Sequence, residues 1–280
     1  VLNQVDAVLT ENNIAYIKWD HNRHLSDPIS DGRPVVRKQT EAVYRLFDEL
    51  KRRHPGLEIE SCASGGGRVD LGMIEHADRF WTSDQNDPLE RQTIQRWSAM
   101  AIPPELLGTH VGPTHGHQTG RTLELSMRAT TALFGHAGIE WNITEASPEE
   151  RKHLATWARY YKDNRAHLHS GKMIRVDYPE AHAYVHGVTA HDLSRAIFAY
   201  VQLVPTVAVH PAPIKFPGLD QSANYSVKAV FPAGKPRYML ISPPEWMSGV
   251  SMSGSALAKI GVTAPILAPA NAFLIEITKL

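Results

Sequence analysis

The feature that most restricts the fold of this chain is an alternation, from residue 1 to about 171, of short branched or aromatic runs with stretches of helical periodicity. Leu2, Val5, Val8 and Leu9 recur at helical spacing, and the run 14–19 that follows is short and apolar, as a buried parallel strand is. Val43, Leu46, Phe47 and Leu50 carry a second helix, stopped near Pro55-Gly56, after which 57–62 resumes a strand. A third strand is predicted over 79–83. Asp87-Pro88-Leu89-Glu90 then has the form of a capping box with proline at the first helical position, opening a helix through Ile94 and Trp97. The runs 106–111 and 139–143, a helix over 123–134, and one opened by Ser147-Pro148-Glu149-Glu150 complete five strands with intervening helices. Strands joined in this way are parallel with helical crossovers, in an open doubly wound sheet or part of a (β/α)8 barrel.

After about Gly171 the pattern changes. Segments around Tyr184, Phe198, Tyr225, Tyr238 and 273–277 are short, partly alternating and separated by Pro, Gly and Ser, which predicts an antiparallel β domain. The boundary is placed near 172, giving regions 1–172 and 173–280, with no internal repeat. Lys plus Arg and Asp plus Glu are balanced at 29 each, and the 15 histidines are scattered, so no field favours nucleic acid as a partner. The single cysteine, Cys62, excludes an internal disulfide framework and fits a reducing compartment, the cytoplasm. No apolar run reaches the roughly 18 residues that span a bilayer, so no membrane partner is expected. The opening residues lack the apolar core of a signal peptide. Because the chain starts at Val1, inside an amphipathic pattern, it is expected to be an incomplete fragment of a longer protein.

Active sites of parallel α/β proteins sit where strands end. The first strand ends in Asp20-His21-Asn22-Arg23, the second in Cys62-Ala63-Ser64-Gly65-Gly66-Gly67-Arg68, and the third in Asp84-Gln85-Asn86-Asp87. Asp20 and Asp84 therefore share one rim. A single strand-end Asp is as readily an N-cap or a solvated loop residue. Two on one rim match the paired carboxyl groups of glycoside hydrolysis, about 5 Å apart for retention and about 6.5–9.5 Å for inversion. Asp87 stands where a capping box needs an acceptor and is assigned to structure. Lys18, two residues before Asp20, points to the same side of the strand, where its charge favours an ionised nucleophile. Asp84 follows Trp81-Thr82-Ser83, an expected apolar wall that would raise its pKa as a general acid requires. The glycines lack the Lys-Ser/Thr of a phosphate loop and are read as allowing backbone to approach a sugar ring, with Arg68 supporting the loop. Cys62 has no specified histidine partner and is read as a small buried side chain rather than a catalytic thiol. His110, His115 and His117 lack a carboxylate at a metal-binding spacing and are read as loop polar contacts.

Three motifs in order, Tyr16 to Arg23, Glu60 to Arg68 and Trp81 to Asp87, resemble those of glycoside hydrolase family 36, with His21 where Met is more usual. The resemblance implies the fourth to eighth strands of a (β/α)8 barrel over 1–172 and a C-terminal antiparallel β-sandwich over 173–280. It implies Asp20 as nucleophile, Asp84 as acid/base, and Lys18, Asn22, Cys62, Gly65 and Arg68 as substrate contacts, with no metal and no cofactor. The implied reaction is retaining hydrolysis of terminal α-D-galactosides such as melibiose and raffinose-type oligosaccharides. Alternatives are α-N-acetylgalactosaminide cleavage, α-galactosyl transfer, and a catalytically silent carbohydrate-binding fragment. The expected partner is an oligosaccharide substrate, with the full-length protein a homo-oligomer, a tetramer among the options.

Overall fold

The structure is a computed structural model that describes residues 1–22, 25–239 and 242–280. Its contacts divide it into two units, Val1–Asp84 with Trp97–Gly108 and Gln85–Arg96 with Thr109–Leu280.

The first unit opens with α1 (Leu2–Glu11) and β1 (Tyr16–Asp20), followed by a short antiparallel ribbon, β2 (Ile29–Ser30) with β3 (Arg33–Pro34), which the sequence pattern did not indicate. Then come α2 (Val36–Arg53), β4 (Glu58–Cys62) and β5 (Arg79–Phe80). The order β1-β4-β5 is parallel throughout, as the alternation predicted. On α2, Val43, Phe47 and Leu50 lie at i, i+4 and i+7 and bury one face against Leu9, Ile59, Phe80 and Leu107. Ladder pairing at β5 stops at Phe80 rather than at 83, although the Trp81 N–H still donates to the Ser61 carbonyl.

One expectation fails here. Among the described residues β1 pairs with β4 alone, and Tyr16, Lys18 and Asp20 are exposed, so the first strand is not buried within this chain.

The helix α3 (Pro88–Ser98) and strand β6 (Gly108–Val111) precede α4 (Leu125–Ala132), β7 (His136–Ile139) and α5 (Pro148–Ser170). The strand predicted at 139–143 thus falls several residues earlier. The polar run after it instead forms a 3-10 turn, Ile143–Glu145, in which the Asn142 side chain accepts from the Thr144 N–H. Such a side-chain bond gives the backbone an alternative to a ladder. The helix predicted to open at Ser147 does so as α5, where Ser147 and Glu150 form both arms of a capping box.

The remaining strands are β8 (Lys172–Val176), β9 (Ala183–Thr189), β10 (Arg195–Gln202), β11 (Asn224–Val230), β12 (Val250–Ser253) and β13 (Asn271–Lys279), with a short α6 (Gly254–Lys259) before the last. They form one antiparallel sheet in the order β12-β11-β13-β10-β9-β8. Among the described residues, the segment around Tyr238 forms an isolated bridge to Leu267 rather than a named strand. At the central strand β10 both faces of the sheet are buried. Ala196, Phe198 and Tyr200 of β10 join one core with Phe216, Leu257 and Phe273, while Ile197, Ala199 and Val201 join another with Met127, Leu133 and Trp157. Alternation in β10 therefore separates two apolar layers rather than core from solvent. No helix among the described residues is long and apolar enough to cross a membrane.

Candidate active site

Parallel register aligns the chemistry of the first unit in tiers. Tyr16 stands beside Glu58, Lys18 beside Glu60, and Asp20 beside Cys62, while Glu60 is also aligned with Arg79. Since side chains two apart share a face, these tiers lie on one side of the sheet, with Asp20 at its carboxyl end. At the lowest tier Arg79 binds Glu58 and sits 4.9 Å over the Tyr16 ring. In the middle tier the Lys18 Nζ lies 3.9 Å from Glu60 Oε1 and 4.6 Å from the Trp81 ring centroid.

Asp20 is surrounded by donors. The Asn22 amide donates to its Oδ2 at 3.1 Å, and the Asn22 Oδ1 accepts the Ser64 N–H at 2.6 Å. Burial pushes the Asp20 carboxyl up, but hydrogen bonds from Cys62, Asn22 and the Ser64 backbone, with the Lys18 charge, carry it below its ordinary value. Burial and the neighbouring Asp20 push the Cys62 thiol up to about 11, so at neutral pH it stays protonated and remains a donor. That chemistry suits a carboxylate nucleophile and not a thiolate. Arg23, the last residue of the first motif, lies outside the described residues.

The loop after β4 brings this strand end to the segment that carries Asp84. Ser64 and Gly65 have φ of 50° and 76°, and a Cβ on Gly65 would stand 2.7 Å from Ser83 Cα and 2.8 Å from the Asp84 N. A Cβ on Gly66 would stand 2.6 Å from the Thr82 carbonyl. The glycines expected to admit a sugar thus admit the backbone of 82–84. Arg68 Nη1 donates to the Cys62 carbonyl at 2.9 Å, which ties the far end of the loop back to the strand.

Asp84 differs from expectation as well. Trp81 is buried, but its indole N–H donates to Asp84 Oδ1 at 3.0 Å and the carboxyl is exposed, so the apolar wall is instead a hydrogen-bond donor. Asp87 is a capping residue, its Oδ1 accepting the Leu89 N–H at 2.9 Å while Arg121 spans Asp87 and Glu90. The Asp87 N–H donates to the Gln85 side chain. His110 pairs with Glu140 and His115 meets Thr122. One residue of this face had no role assigned from the sequence, Glu60. The available signal was charge at alternate positions of an otherwise apolar strand, Glu58 and Glu60, on the face that carries Cys62.

A family model described as Melibiase matches residues 1–171, and one described as the glycosyl hydrolase family 36 C-terminal domain matches residues 183–277. An α-galactosidase of Escherichia coli is 38% identical over 281 residues, which covers 97% of this chain and 39% of the relative. α-Galactosidase AgaA of Geobacillus stearothermophilus is 30% identical over 237 residues, covering 82% of this chain and 32% of its own length. The crystal structure of AgaA matches with a TM-score of 0.86 at 26% identity, covering 100% of this chain and 37% of that one. The α-galactosidase structure from Lactobacillus brevis matches with a TM-score of 0.83 at 30% identity and the same coverage. The chain therefore spans less than two fifths of the length of these solved relatives. The three strand-end motifs, the parallel order that aligns them and the two family matches lead to one conclusion: the chain belongs to the melibiases of glycoside hydrolase family 36.

Proposed function

We propose that the protein hydrolyses terminal non-reducing α-D-galactosyl residues of α-galactosides by double displacement with net retention. The observation that carries this reading is the melibiase match over residues 1–171, within which Asp20 is held ionised beside the loop that carries Asp84. Raffinose-type oligosaccharides are the proposed substrates, since variants of AgaA have been crystallised with raffinose and with stachyose.

In the first step an Asp20 carboxylate oxygen attacks the anomeric carbon. The glycosidic bond breaks, and the proton of Asp84 goes to the departing oxygen. In the second step water attacks the same carbon and gives its proton to Asp84, and the ester to Asp20 is released. Lys18, Asn22, Cys62 and Gly65 would line the sugar, with Arg68 holding the loop, and neither step draws on a metal or a cofactor. Residues 1–172 would supply strands four to eight of a (β/α)8 barrel and residues 173–280 a β-sandwich, in a cytoplasmic homo-oligomer.

Product stereochemistry tests the reading. In the protein expressed from its intact gene, NMR of the first-formed product is expected to show α-galactose, and a fluorosugar trap to label Asp20. Asp20→Gly is expected to lose hydrolysis yet yield β-galactosyl azide from an activated α-galactoside in the presence of azide. A β-configured first product, or a label on another residue, would overturn the assignment. Preference for the matched α-N-acetylgalactosaminide would move the substrate within the family.

A further inference from the structure

We infer that Glu60 is a positioning residue that fixes the Lys18 ammonium beside the nucleophile. The inference rests on the reading of Asp20 given above and extends it to a residue that is screened from solvent. Glu60 is 2% exposed, in the central strand of the parallel sheet. A carboxylate there is costly unless both oxygens are satisfied. One oxygen, Oε2, accepts the Tyr16 hydroxyl from the neighbouring strand. The other, Oε1, is buried with no hydrogen-bond partner, and the cation facing it is Lys18 at 3.9 Å. The second cation aligned with Glu60, Arg79, is engaged by Glu58 and the Tyr16 ring.

Lys18 needs such an anchor. A lysine stem has four rotatable carbons, and the Lys18 side chain is 37% exposed. Two contacts define where the ammonium sits, the Glu60 carboxylate and the face of Trp81 at 4.6 Å. Trp81 in turn donates to Asp84, so the ammonium lies between a residue bonded to the acid/base and the strand that carries the nucleophile. Gly108 preserves this arrangement, because a Cβ there would stand 3.3 Å from the Trp81 ring and 3.4 Å from Glu60 Oε2. A residue needed only for packing would be served as well by an apolar side chain of similar volume. The buried charge is accounted for by its action on Lys18.

The test is a double-mutant cycle in the protein expressed from its intact gene, read as kcat/KM on an aryl α-galactoside. Glu60→Gln keeps the volume and the acceptor for Tyr16 but removes the charge. Alone it is expected to lower kcat/KM about 10- to 100-fold, and in a Lys18→Met background less than about threefold. Equal losses in the two backgrounds, or no loss in either, would overturn the inference. If Glu60→Gln does not fold, as judged by circular dichroism, Tyr16→Phe runs the same cycle with an expected loss of about two- to tenfold that also vanishes without Lys18. Should the unmodified protein fail to turn over the α-galactoside at all, the functional reading itself has failed, and the inference is overturned with it.

Discussion

The sheet β1-β4-β5 and the sheet built on β10 and β13 use apolar strands to opposite ends. In β10 every residue from Ala196 to Gln202 is buried, and its alternate side chains feed two separate cores. In the parallel sheet one face packs on α2 while the other carries Tyr16, Lys18, Asp20, Glu58, Glu60 and Cys62 in register. The first arrangement maximises burial. The second leaves a polar face whose groups must satisfy one another, as the Asp20 carboxyl, held below its ordinary value, and the Cys62 thiol, raised to about 11, do beside each other. The charges at alternate positions of β1 and β4 thus leave one face of that sheet polar, where β10 presents apolar side chains on both.

The sharpest way to test that contrast is to remove chemistry without touching a core. Asp84→Asn should slow substrates with poor leaving groups by about 10²–10⁴-fold and activated aryl galactosides far less, since a good leaving group needs little protonation. Equal losses on both would mean that the polar face does not supply the acid. Packing should show the converse asymmetry. Phe198 is 0% exposed, and Phe198→Ala is expected to cost about 3–5 kcal/mol in chemical unfolding, against less than about 2 kcal/mol for Ile17→Ala in β1, where that side chain is half-buried. Comparable costs would erase the distinction between the two sheets.

A smaller effect separates two aspartates three residues apart. Asp87→Ala removes a helix cap and should cost about 1–2 kcal/mol of stability while leaving kcat/KM within about threefold, the reverse of Asp84→Asn. The smallest effect is a titration. The Cys62 thiol, raised by burial and by Asp20 to about 11, should ionise near that pH, as followed by thiolate absorbance against a Cys62→Ser control. Asp20→Asn removes a negative neighbour and should move the onset to lower pH. An unchanged onset would mean that the two groups do not interact.

Periodicity and caps were legible because they are local. The helical spacing of Val43, Phe47 and Leu50, the helix opened at Ser147, the Asp87 cap and the parallel order of the first strands all appear as read. So does the strand-end position of Asp20, whereas Asp84 follows the end of β5 by four residues. Tertiary structure decided the rest. That β7 begins at His136, that the glycines after Cys62 receive backbone and that Trp81 donates to Asp84 all depend on which segments meet. Glu60 is the clearest case: its meaning lies in a register that sets it beside Lys18, 42 positions away in the chain. Backbone preference, side-chain period and capping act over a few residues and can be read along the chain. Burial and charge pairing depend on neighbours brought together only by folding.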